Sequence, residues 1–518
     1  MTFAPPERFN LADYFLDERI REGRGERVAL RLADRELTYR DVQVLTDRFA
    51  WVLQRLGVVP EQRVLLALPD GPEYVGALFG ILKIGAVVVM VNREISVPEI
   101  VRMYEYTRAH HAVIDHAVLD AFIAAADIVA RSKAAPVLLT VGGSTLPHRS
   151  FEEEASREPG AFKNASTHRD DPAIWLFSGG TTGRPKAVVQ THTSFANTTE
   201  CFGKAFLGYS ENEITLSVPK LYFGYATGAN LFFPFSVGGS AILFPEKPTP
   251  EVLFAKIRAH RPTVLVNVPT MIHHMVSHPG AAEEDLSSLR FSLSAGEALP
   301  ASLYYRWKET FGVELLDGLG TAEMWHIFLS NHPQDVRPGT LGKAVPGFEV
   351  KVCDEEGRDL PPGEPGRLWV KGRSRAIGYW QEMEKTAETF RGEWVVTGDL
   401  LVEDEDGYFS YCGRTDDVLK VGGRWLVPGE VEACLIRHPA VAECAVVGVT
   451  NEEGLVKPRA FVIVREPWQR GPGLEDELKA FVLQELAPYK HPREIVFVDD
   501  LPRTHLGKVD RGKLKSWG

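Results

Sequence analysis

The chain has few cysteines, and their positions exclude two common kinds of site. There are five among 518 residues, and none of them forms a C-x-x-C pair. An odd number of scattered thiols supports neither a disulfide framework nor a cysteine-bound zinc ion. We therefore expect a protein of a reducing compartment, the cytoplasm.

The chain also lacks a long apolar run and an N-terminal targeting pattern. Residues 226–244 extend far enough without a charge to resemble a membrane span. Asn230, Pro234 and two glycines interrupt this stretch, so a buried helix, a turn and a strand are predicted instead. The N-terminal residues carry acids early and no apolar core, unlike a signal peptide. No membrane partner is expected.

An excess of positive charge is absent as well. The chain has 58 Lys and Arg against 70 Asp and Glu, a formal net charge of -12. Nucleic acids and anionic membranes bind basic surfaces, so neither is an expected partner. A hydrophobic content of 44% and a charged content of 25% are typical of globular proteins. The length predicts at least two domains.

The middle of the chain alternates between strand and helix patterns. The predicted strands are 241–244, 263–268, 289–294 and 313–318, and the predicted helices are 251–260, 269–278 and 300–312. This alternation is typical of parallel sheets covered by helices. Ligands of such folds bind at the carboxyl ends of the strands.

The pattern changes after about residue 348 to short antiparallel strands, and from residue 417 to a compact α+β segment. We predict an α/β protein with two domains. The N-terminal domain, 1–415, contains parallel-rich sheets with helices and a short antiparallel, barrel-like part. The C-terminal domain, 416–518, is a small α+β unit of ordinary domain size.

The segment "FSGGTTGRPKAVVQTH", residues 177–192, is rich in groups that hold phosphates. The candidate phosphate-binding residues are Ser178, Gly179, Gly180, Thr181, Thr182, Gly183 and Lys186. Backbone amides, hydroxyls and one ammonium group suit a polyphosphate. A glycine-rich hairpin without a ligand is the simpler alternative.

The same segment departs from the P-loop pattern. A P-loop requires Ser or Thr directly after its lysine and a helix beginning there. Here Pro185 precedes Lys186, Ala187 follows it, and the next residues are β-branched and apolar. We therefore predict a loop between two strands, 173–177 and 187–191, rather than a phosphotransferase P-loop.

Two other catalytic patterns are incomplete. A G-x-S-x-G elbow at Ser178 would need glycine where Leu176 stands, and Ser294 also lacks its leading glycine. His274 and His278 have the spacing of zinc ligands, but the glutamate of H-E-x-x-H is missing. A solvated helix face is the expected role of these histidines.

The loop at 177–192 resembles the signature of the adenylate-forming acyl-CoA synthetase family. Further segments resemble the family's motifs in the same order: 37–42, 80–92, 294–300, 317–324, 394–400, 413–432 and 501–511. The resemblance covers nearly the whole chain. It implies an enzyme that uses ATP, Mg²⁺ and coenzyme A to convert a carboxylic acid into an acyl-adenylate and then a thioester.

The resemblance assigns the catalytic roles. Lys508 matches the lysine that bridges the carboxylate and the α-phosphate, and Glu323 matches the glutamate that binds magnesium. Asp399 matches the aspartate that accepts the ribose hydroxyls, supported by Arg414. Taken alone, Lys508 is typical of a surface lysine and Asp399 of a turn residue.

The remaining nucleotide contacts are implied by the same motifs. They are Ala295, Gly296, Glu297, Asp317, Gly318, Leu319, Gly320, Thr321 and Lys420. One departure concerns the family pattern Tyr-Gly-x-Thr-Glu, because Leu319 replaces the aromatic residue and Ala322 replaces the threonine. Thr321 is the candidate to supply the missing hydroxyl.

The second half-reaction is expected to use a different arrangement of the domains. The resemblance implies that the mobile C-terminal domain rotates about the hinge residue Asp416. Gly422 and Gly423 would then allow the backbone to approach the pantetheine arm of CoA closely. A simple tight turn explains the two glycines equally well.

The acyl pocket resembles that of benzoate-CoA ligases and related aryl-CoA ligases. Its predicted lining is Phe202, Tyr222, Phe223, Ala295, Gly318, Gly320, Trp325 and His326. Aromatic side chains among small residues suit one flat ring better than an alkyl chain. His326 and the Tyr222 hydroxyl are candidates to bind a ring substituent, which makes 2-aminobenzoate a candidate beside benzoate.

Two alternatives remain open at this stage. An enzyme of the same family can adenylate an aromatic acid and load it onto a carrier protein. The other alternative is a non-catalytic nucleotide-binding relative, which the replacement of the family's threonine by Ala322 would favour. The joint presence of Lys508, Glu323 and Asp399 favours an active enzyme. The sequence also leaves a homodimer open.

Overall fold

The structure is a computed structural model, which describes residues 3–131, 134–143, 149–156, 160–178, 185–415, 417–421, 424–450, 456–503 and 509–517. Within these ranges the chain forms two compact units. The larger unit contains residues up to 178, 185–350 and 370–395, and the smaller contains 351–369 and the chain from 396 onward. The domain boundary at 415/416 stays a prediction.

Short strands make up the sheets of both units. The strands up to residue 191 are β1 (Val28–Arg31), β2 (Glu36–Thr38), β3 (Arg63–Ala67), β4 (Val87–Met90), β5 (His111–Asp115), β6 (Val137–Val141), β7 (Arg149–Ser150), β8 (Pro172–Ser178) and β9 (Lys186–Thr191). The next are β10 (Ile214–Ser217), β11 (Ser240–Ile242), β12 (Val264–Asn267), β13 (Phe291–Ser294), β14 (Leu315–Gly320), β15 (Ile327–Ser330) and β16 (Lys343–Ala344). Then follow β17 (Glu349–Cys353), β18 (Gly366–Lys371), β19 (Gly378–Tyr379), β20 (Phe390–Arg391), β21 (Trp394–Glu403) and β22 (Phe409–Arg414). The last are β23 (Leu419–Val421), β24 (Arg424–Leu426), β25 (Val441–Thr450), β26 (Val456–Val464) and β27 (Glu494–Phe497).

Helices connect most of the parallel strands. Those up to residue 226 are α1 (Glu18–Arg21), α2 (Tyr39–Arg55), α3 (Pro72–Ile84), α4 (Val97–Thr107), α5 (Leu119–Ala130), α6 (Phe151–Ala155), α7 (His192–Thr198) and α8 (Gly224–Ala226). The others are α9 (Phe233–Val237), α10 (Pro250–His260), α11 (Pro269–Ser277), α12 (Ala301–Phe311), α13 (Met383–Thr389), α14 (Pro428–Ile436), α15 (Pro472–Glu485) and α16 (Arg511–Lys515). Longer π-helical turns cover Thr199–Phe206 and Thr227–Phe232.

Two mixed sheets organise the larger unit. The first has the strand order β16-β15-β14-β13-β12-β10-β11-β1-β2, and its central strands from β14 to β1 are parallel. The second has the order β19-β9-β8-β4-β3-β5-β6-β7, parallel from β8 to β7. This confirms the predicted parallel-rich α/β architecture, because the β-α alternation places successive strands side by side.

Local sequence signals explain the helix boundaries. α12 begins after Pro300 and ends at Gly312, whose φ of 70° is left-handed and favours glycine. α2 begins with a capping box, in which the Thr38 hydroxyl accepts the Asp41 amide and the Asp41 carboxylate accepts the Thr38 amide. Segment 226–244 folds into buried helical turns followed by β11, as predicted. In the described ranges no helix has the length and apolarity to cross a bilayer.

The smaller unit contains antiparallel strands and an α+β segment. Strands β17, β18, β21 and β22 pair in that order, with Asp399 opposite Arg414. Strands β25, β26 and β27 form a separate sheet, in which β26 and β27 run parallel. Helices α14 and α15 pack on this sheet through an apolar core that includes Leu435, Val446 and Leu478. The α+β character predicted for the C-terminal segment is confirmed.

Candidate active site

Several predicted site residues follow the carboxyl ends of neighbouring parallel strands in the larger unit. Tyr222 and Phe223 follow β10, residues 295–297 follow β13, and residues 321–326 follow β14. In the first sheet these strands lie in the order β14-β13-β12-β10. Loops at this edge form the ligand-binding side of an α/β sheet. The edge is therefore our candidate active site.

The base of the phosphate-binding loop is a pair of antiparallel strands. Strands β8 and β9 pair from Pro172 opposite Thr191 to Ser178 opposite Lys186. Strand, not helix, continues after Lys186, which confirms the difference from a P-loop. Ser178 and Lys186 are half-buried. The intervening predicted residues Gly179, Gly180, Thr181, Thr182 and Gly183 lie outside the described residues.

Asp317, near the end of β14, is a buried carboxyl group with unused hydrogen-bonding capacity. Its residue is 6% exposed, and its Oδ1 has no hydrogen-bond partner among the described residues. Burial disfavours the charged form and raises the pKa of Asp317 to about 8. Buried polar atoms without a partner are rare in proteins. A polar ligand group that forms a hydrogen bond here would satisfy Oδ1.

The loop after β13 is open to approach. Ala295 is buried, whereas Gly296 and Glu297 are exposed. Gly296 has a φ of 92°, and a Cβ added to it would meet no atom within 4 Å. The Glu297 carboxylate accepts a hydrogen bond from the Thr270 hydroxyl at 2.7 Å. The exposed backbone of this loop is consistent with close approach of a flat ligand.

The glycines of β14 are required by the chain that returns beside them. A Cβ at Gly320 would lie 2.4 Å from the carbonyl oxygen of His326, and one at Gly318 would lie 2.7 Å from that of Leu329. Such contacts cannot be relieved without moving the backbone. Both glycines therefore allow β15 to pack against β14, and this packing positions the loop at 321–326.

Ala322 stands where the family pattern has a threonine, and the hydroxyl of the preceding residue, Thr321, lies nearby in the same turn. The Thr321 Oγ1 is buried and has no hydrogen-bond partner among the described residues. The next residue, Ala322, is held by its carbonyl oxygen, which accepts a hydrogen bond from the Gln190 side chain of β9. Leu319 is half-buried. Whether Thr321 contacts nucleotide stays a prediction, but its hydroxyl is available for that contact.

Glu323 is held by a residue that the sequence analysis did not identify. The Tyr379 hydroxyl donates a hydrogen bond of 2.7 Å to Glu323 Oε1. The carbonyl oxygen of Glu323 accepts the Ala376 amide at 2.8 Å. The Lys186 ammonium lies 5.5 Å from the centroid of the Tyr379 ring. Tyr379 thus contacts both the predicted metal ligand and the predicted phosphate-binding lysine.

The donor set around Glu323 fits magnesium bound together with a nucleotide. In the part of the chain that the structure describes, no group of three or more histidine, cysteine or acidic residues is arranged to hold a metal ion. Magnesium commonly uses one or two carboxylates, water and substrate phosphates instead of a complete protein cage. Glu323 is a single half-buried carboxylate next to Tyr379, whose ring also contacts Lys186, and it meets that requirement.

His326 is buried among aromatic rings and presents one free acceptor. The centroid of its ring lies 4.9 Å from the ring centroid of Phe233, 5.3 Å from that of Tyr225 and 5.7 Å from that of Phe202. Burial lowers the pKa of His326 to about 3, so the ring is neutral. Nε2 is 3.0 Å from the Tyr225 carbonyl oxygen and therefore carries the proton. Nδ1 is left as an acceptor without a partner among the described residues.

Trp325 combines an unusual backbone with a core position. Its φ of 66° and ψ of -51° form a tight turn, in which the His326 amide donates to the Met324 carbonyl oxygen at 2.9 Å. A large residue rarely adopts this conformation, which is more common at functional sites. The indole is buried and lies 4.4 Å from the Phe195 ring. It therefore packs in the core, and its contact with an acid stays a prediction.

The other predicted aromatic residues differ in exposure. Phe202 is fully buried, whereas Tyr222 and Phe223 are half-buried, with their ring centroids 4.3 Å apart. Burial raises the pKa of Tyr222 to about 12, so its hydroxyl keeps its proton. Tyr222 and Phe223 thus offer partly open aromatic surface at the end of β10.

A buried carboxyl group, that of Asp70, holds the segment that carries these two rings. Asp70 is 8% exposed, and its Oδ1 accepts the Leu221 amide at 2.9 Å. The Lys220 ammonium donates to the Phe244 carbonyl oxygen at 2.7 Å and lies 3.6 Å from the centroid of that ring. Burial raises the pKa of Asp70 to about 6, and the positive charge of Lys220 opposes that shift. Asp70 links the second sheet to the segment at 220–223.

The predicted ribose ligand is described within the smaller unit. Asp399 is 4% exposed, and its Oδ1 lies 3.2 Å from Nη1 of Arg414 on the paired strand. A Cβ at Gly398 would lie 2.5 Å from Nη2 of Arg414, so glycine leaves room for the guanidinium group. The structure places these two predicted residues together.

Other predicted residues of the C-terminal half are not described. Asp416, Gly422, Gly423 and Lys508 lie outside the described residues, as does the side chain of Lys420. The hinge, the CoA tunnel and the catalytic lysine therefore stay predictions from the resemblance.

Tyr379 and Asp70 were missed for a common reason. Each makes a contact over a long sequence distance: 56 residues separate Tyr379 from Glu323, and 151 separate Asp70 from Leu221, which precedes the predicted pocket residue Tyr222. The only local signal for Tyr379 is the "GYW" segment, whose first two residues form the edge strand β19, and it does not indicate the partner Glu323. An acid followed by glycine at 70–71 is otherwise an ordinary turn.

Comparison with known protein families identifies the class. The profile of the AMP-binding enzyme family matches residues 16–380, and that of the AMP-binding enzyme C-terminal domain matches 430–508. Because the first match alone covers more than half of the chain, the chain belongs to the AMP-binding enzyme family. The expected relationship to adenylate-forming ligases is confirmed.

Individual relatives resemble the chain along its whole length. The benzoate-CoA ligase of Thauera aromatica is 39% identical over 513 residues, covering 99% of this chain and 96% of the relative. Among solved structures, the anthranilate-CoA ligase AuaEII in complex with anthranoyl-AMP has a TM-score of 0.92 and 38% identity, covering 99% of this chain and 98% of that one. A benzoate-CoA ligase from Burkholderia xenovorans LB400 has a TM-score of 0.89 and 40% identity, covering 98% and 100%.

Proposed function

We propose that the protein is an ATP-dependent aryl-acid:CoA ligase. In the first half-reaction, an oxygen of the aromatic carboxylate forms a bond to the α-phosphorus of ATP. The bond from that phosphorus to the pyrophosphate oxygen breaks, which gives aryl-AMP and pyrophosphate. In the second, the CoA thiol loses its proton to solvent, its sulfur forms a bond to the carbonyl carbon, and AMP leaves with the electrons of the C–O bond.

One observation carries this proposal from the structure. Buried polar atoms without a partner among the described residues recur at the predicted nucleotide and acyl sites: Tyr225 Oη, Asp317 Oδ1, Thr321 Oγ1, Trp325 Nε1 and His326 Nδ1. Native proteins leave few such atoms unsatisfied. Their concentration on the segment from β14 to His326, and on a tyrosine against that histidine, is expected where a polar ligand binds.

We propose nucleotide-binding roles for residues of each unit separately. In the larger unit, Lys186 would bind phosphate, and Asp317 Oδ1 would form a hydrogen bond with the base. In the smaller unit, the buried Asp399 carboxylate would accept the ribose hydroxyls, with Arg414 fixing its orientation. Magnesium bound at Glu323 supplies charge neutralisation on the departing pyrophosphate.

Lys508 would stabilise the meeting of two anions. A carboxylate and an α-phosphate repel each other, so a positioned ammonium group contributes most in the transition state. This role comes from the family resemblance. Lys508 would take no part in the second half-reaction. The rotation proposed at Asp416 would remove Lys508 from the adenylate and bring Gly422 and Gly423 towards it.

Among aromatic acids, 2-aminobenzoate fits the buried histidine best. The neutral His326 ring uses its only N–H on the Tyr225 carbonyl oxygen and leaves Nδ1 as an acceptor. An ortho-amino group would donate to that nitrogen, whereas benzoate has no donor to offer. Relatives of this chain include enzymes named for benzoate and for anthranilate, which is 2-aminobenzoate. Benzoate is the second candidate.

A panel of acids tests the function and the substrate together. Purified protein would receive ATP, magnesium and CoA with benzoate, 2-aminobenzoate, 4-hydroxybenzoate, salicylate, cinnamate or octanoate. We expect AMP and aryl-CoA by mass spectrometry, with 2-aminobenzoate and benzoate ahead of octanoate. AMP without thioester would favour a carrier protein as the acceptor. No turnover with any acid would favour a non-catalytic relative and would make Ala322→Thr the first reversion to test.

The substrate ratio should depend on the acceptor nitrogen of His326. Replacing His326 with glutamine keeps an N–H near the Tyr225 carbonyl oxygen but removes the acceptor at Nδ1. One lost hydrogen bond is worth about 1.4 kcal/mol, so the preference for 2-aminobenzoate over benzoate should fall about 10-fold. The measurement is kcat/KM for both acids. His326→Asn, which retains an amide group near the Nδ1 position, is the matched control, and an unchanged ratio in His326→Gln would exclude this contact.

Asp70 should control the affinity for the acid and make it depend on pH. Asp70→Leu removes the acceptor for the Leu221 amide and the counter-charge of Lys220. We expect the KM for the acid to rise about 10-fold while the KM for ATP stays constant. Because the pKa of Asp70 is about 6, the carboxyl is mostly protonated at pH 5.5 and ionised at pH 7.5. The wild-type KM for the acid should therefore be higher at pH 5.5.

The neutral variant separates charge from hydrogen bonding at this position. Asp70→Asn keeps an acceptor oxygen for Leu221 but cannot ionise, so its KM for the acid should lose the pH dependence. Steady-state kinetics at fixed saturating ATP between these pH values checks both expectations. An equal rise in both KM values, or a pH dependence retained by Asp70→Asn, would contradict this role.

The compartment, the oligomeric state and the acceptor complete the proposal. We place the protein in the cytoplasm because all five cysteines are free thiols. A homodimer is testable by light scattering of the purified protein. CoA is the proposed acceptor, and direct comparison with a carrier protein loaded with pantetheine would distinguish the two.

A further inference from the structure

Tyr379 lies between two elements of the candidate nucleotide site. It ends β19, a two-residue edge strand paired with β9, where Tyr379 is opposite Val188. On either side of it, the Ile377 amide donates to the Val189 carbonyl oxygen and the Trp380 amide donates to that of Ala187, each at 2.9 Å. The backbone of Tyr379 is thus fixed to the strand that begins at Lys186.

The side chain of Tyr379 reaches the opposite element. Its hydroxyl donates to Glu323 Oε1 at 2.7 Å, and the nearby Ala376 amide donates to the Glu323 carbonyl oxygen at 2.8 Å. The segment at 376–379 therefore binds Glu323 through both its backbone and its carboxylate. A hydrogen bond to one carboxylate oxygen restricts rotation of the group and directs the other oxygen, Oε2, for use by a cation.

The ring of Tyr379 has a second contact. The Lys186 ammonium lies 5.5 Å from the ring centroid, within the range of a cation–π interaction. This contact restricts the flexible lysine side chain. It is electrostatic, so it does not require a hydrogen bond from the ammonium group to the ring. Lys186 keeps its N–H donors for phosphate, while Glu323 keeps one oxygen for the metal.

We propose that Tyr379 is a positioning residue that holds Glu323 and Lys186 ready for magnesium-bound ATP. The proposal rests on the proposed function only in assigning ATP and magnesium to this site. It adds a residue outside the nucleotide motifs and a division of labour: the hydroxyl orients the metal ligand, and the ring orients the phosphate-binding lysine.

Nucleotide binding without an acid provides the test. Tyr379→Phe removes one hydroxyl and keeps the ring, so the cation–π contact and the packing are retained. Calorimetry would measure the dissociation constant of ATP with magnesium and with excess EDTA. We expect about 5- to 10-fold weaker binding of magnesium-ATP, because a hydrogen bond to a charged group is lost, and less than about 2-fold change in EDTA. Equal weakening in both conditions, or no weakening, would overturn the proposal.

Tyr106 supplies a matched control on the same edge of the sheet. Its hydroxyl donates to the Trp380 carbonyl oxygen at 2.8 Å and accepts the Ala187 amide at 3.3 Å, and neither hydrogen bond involves Glu323. Tyr106→Phe should therefore leave the magnesium-dependent part of ATP affinity at the wild-type value. A loss as large as that in Tyr379→Phe would show that the effect is a general loosening of the strand edge, against the proposal.

A double-mutant cycle establishes whether Tyr379 acts through Glu323. In Glu323→Gln, the further change Tyr379→Phe should alter the magnesium-ATP dissociation constant by less than about 2-fold. Independent, multiplicative losses would contradict the positioning role. The cycle remains informative if Tyr379→Phe lowers the melting temperature, because a folding defect would persist in the Glu323→Gln background. Absence of aryl-AMP from the wild-type protein with every acid would reject the proposed function without affecting these binding results.

Discussion

Replacing Lys508 with alanine should reduce aryl-adenylate formation about 100- to 1,000-fold, the usual effect of removing one preorganised charge-stabilising group. Thioester formation from supplied aryl-AMP and CoA should remain within about 3-fold of the wild type, because the lysine is used only while two anions approach each other. Rapid-quench measurement of each half-reaction separately checks the result.

A lysine of the same C-terminal segment serves as the control for this variant. Lys513 lies in α16 and is largely exposed, and its Nζ is 3.9 Å from Oδ2 of Asp510, the residue before the helix. Lys513→Ala should leave both half-reactions unchanged. Equal losses of adenylation and thioester formation in Lys508→Ala would contradict the division of labour between the two steps.

Replacing Glu323 with glutamine should lower the rate of adenylation about 100-fold at millimolar magnesium, since a metal ion contributes several kcal/mol of charge stabilisation to such a step. Glutamine preserves size and can still accept the Tyr379 hydroxyl, but it binds a hard cation poorly. Raising the magnesium concentration should restore part of the rate. The experiment is a magnesium titration of pyrophosphate release.

An exposed glutamate in the larger unit controls for the change of net charge. Glu309 lies on the solvent side of α12, and Glu309→Gln should give the wild-type magnesium curve. A Glu323→Gln enzyme whose magnesium dependence matches the wild type would show that this carboxylate is not the metal ligand.

Local patterns were sufficient to predict much of the fold. Apolar strands such as β12 and β13 alternate with helices that begin at Pro269 and after Pro300, and this spacing permits little besides a parallel sheet. The order Pro185–Lys186–Ala187 also predicted a strand after the loop, and β9 confirms it. These features depend on neighbours within a few residues, which is why sequence alone reveals them.

The parts of the site that sequence could not predict depend on long-range packing. Nothing near Tyr379 in the sequence indicates that its hydroxyl reaches Glu323, because the contact exists only after β19 pairs with β9. The protonation pattern of His326 likewise depends on a carbonyl oxygen that lies 101 residues away. Gly320 was predicted to line the nucleotide and acyl sites. The structure adds a second reason for glycine at this position, because the His326 backbone beside it leaves no room for a side chain.

The central claim, that an aromatic acid is activated as its adenylate, is tested most directly by exchange of labelled pyrophosphate into ATP. The reaction would contain protein, ATP, magnesium and pyrophosphate, without CoA, and with or without 2-aminobenzoate or benzoate. We predict label in ATP only when an aromatic acid is present, because the exchange requires reversal of aryl-AMP formation. Exchange that is equally fast without any acid, or absent with every aromatic acid while ATP binds, would contradict the account.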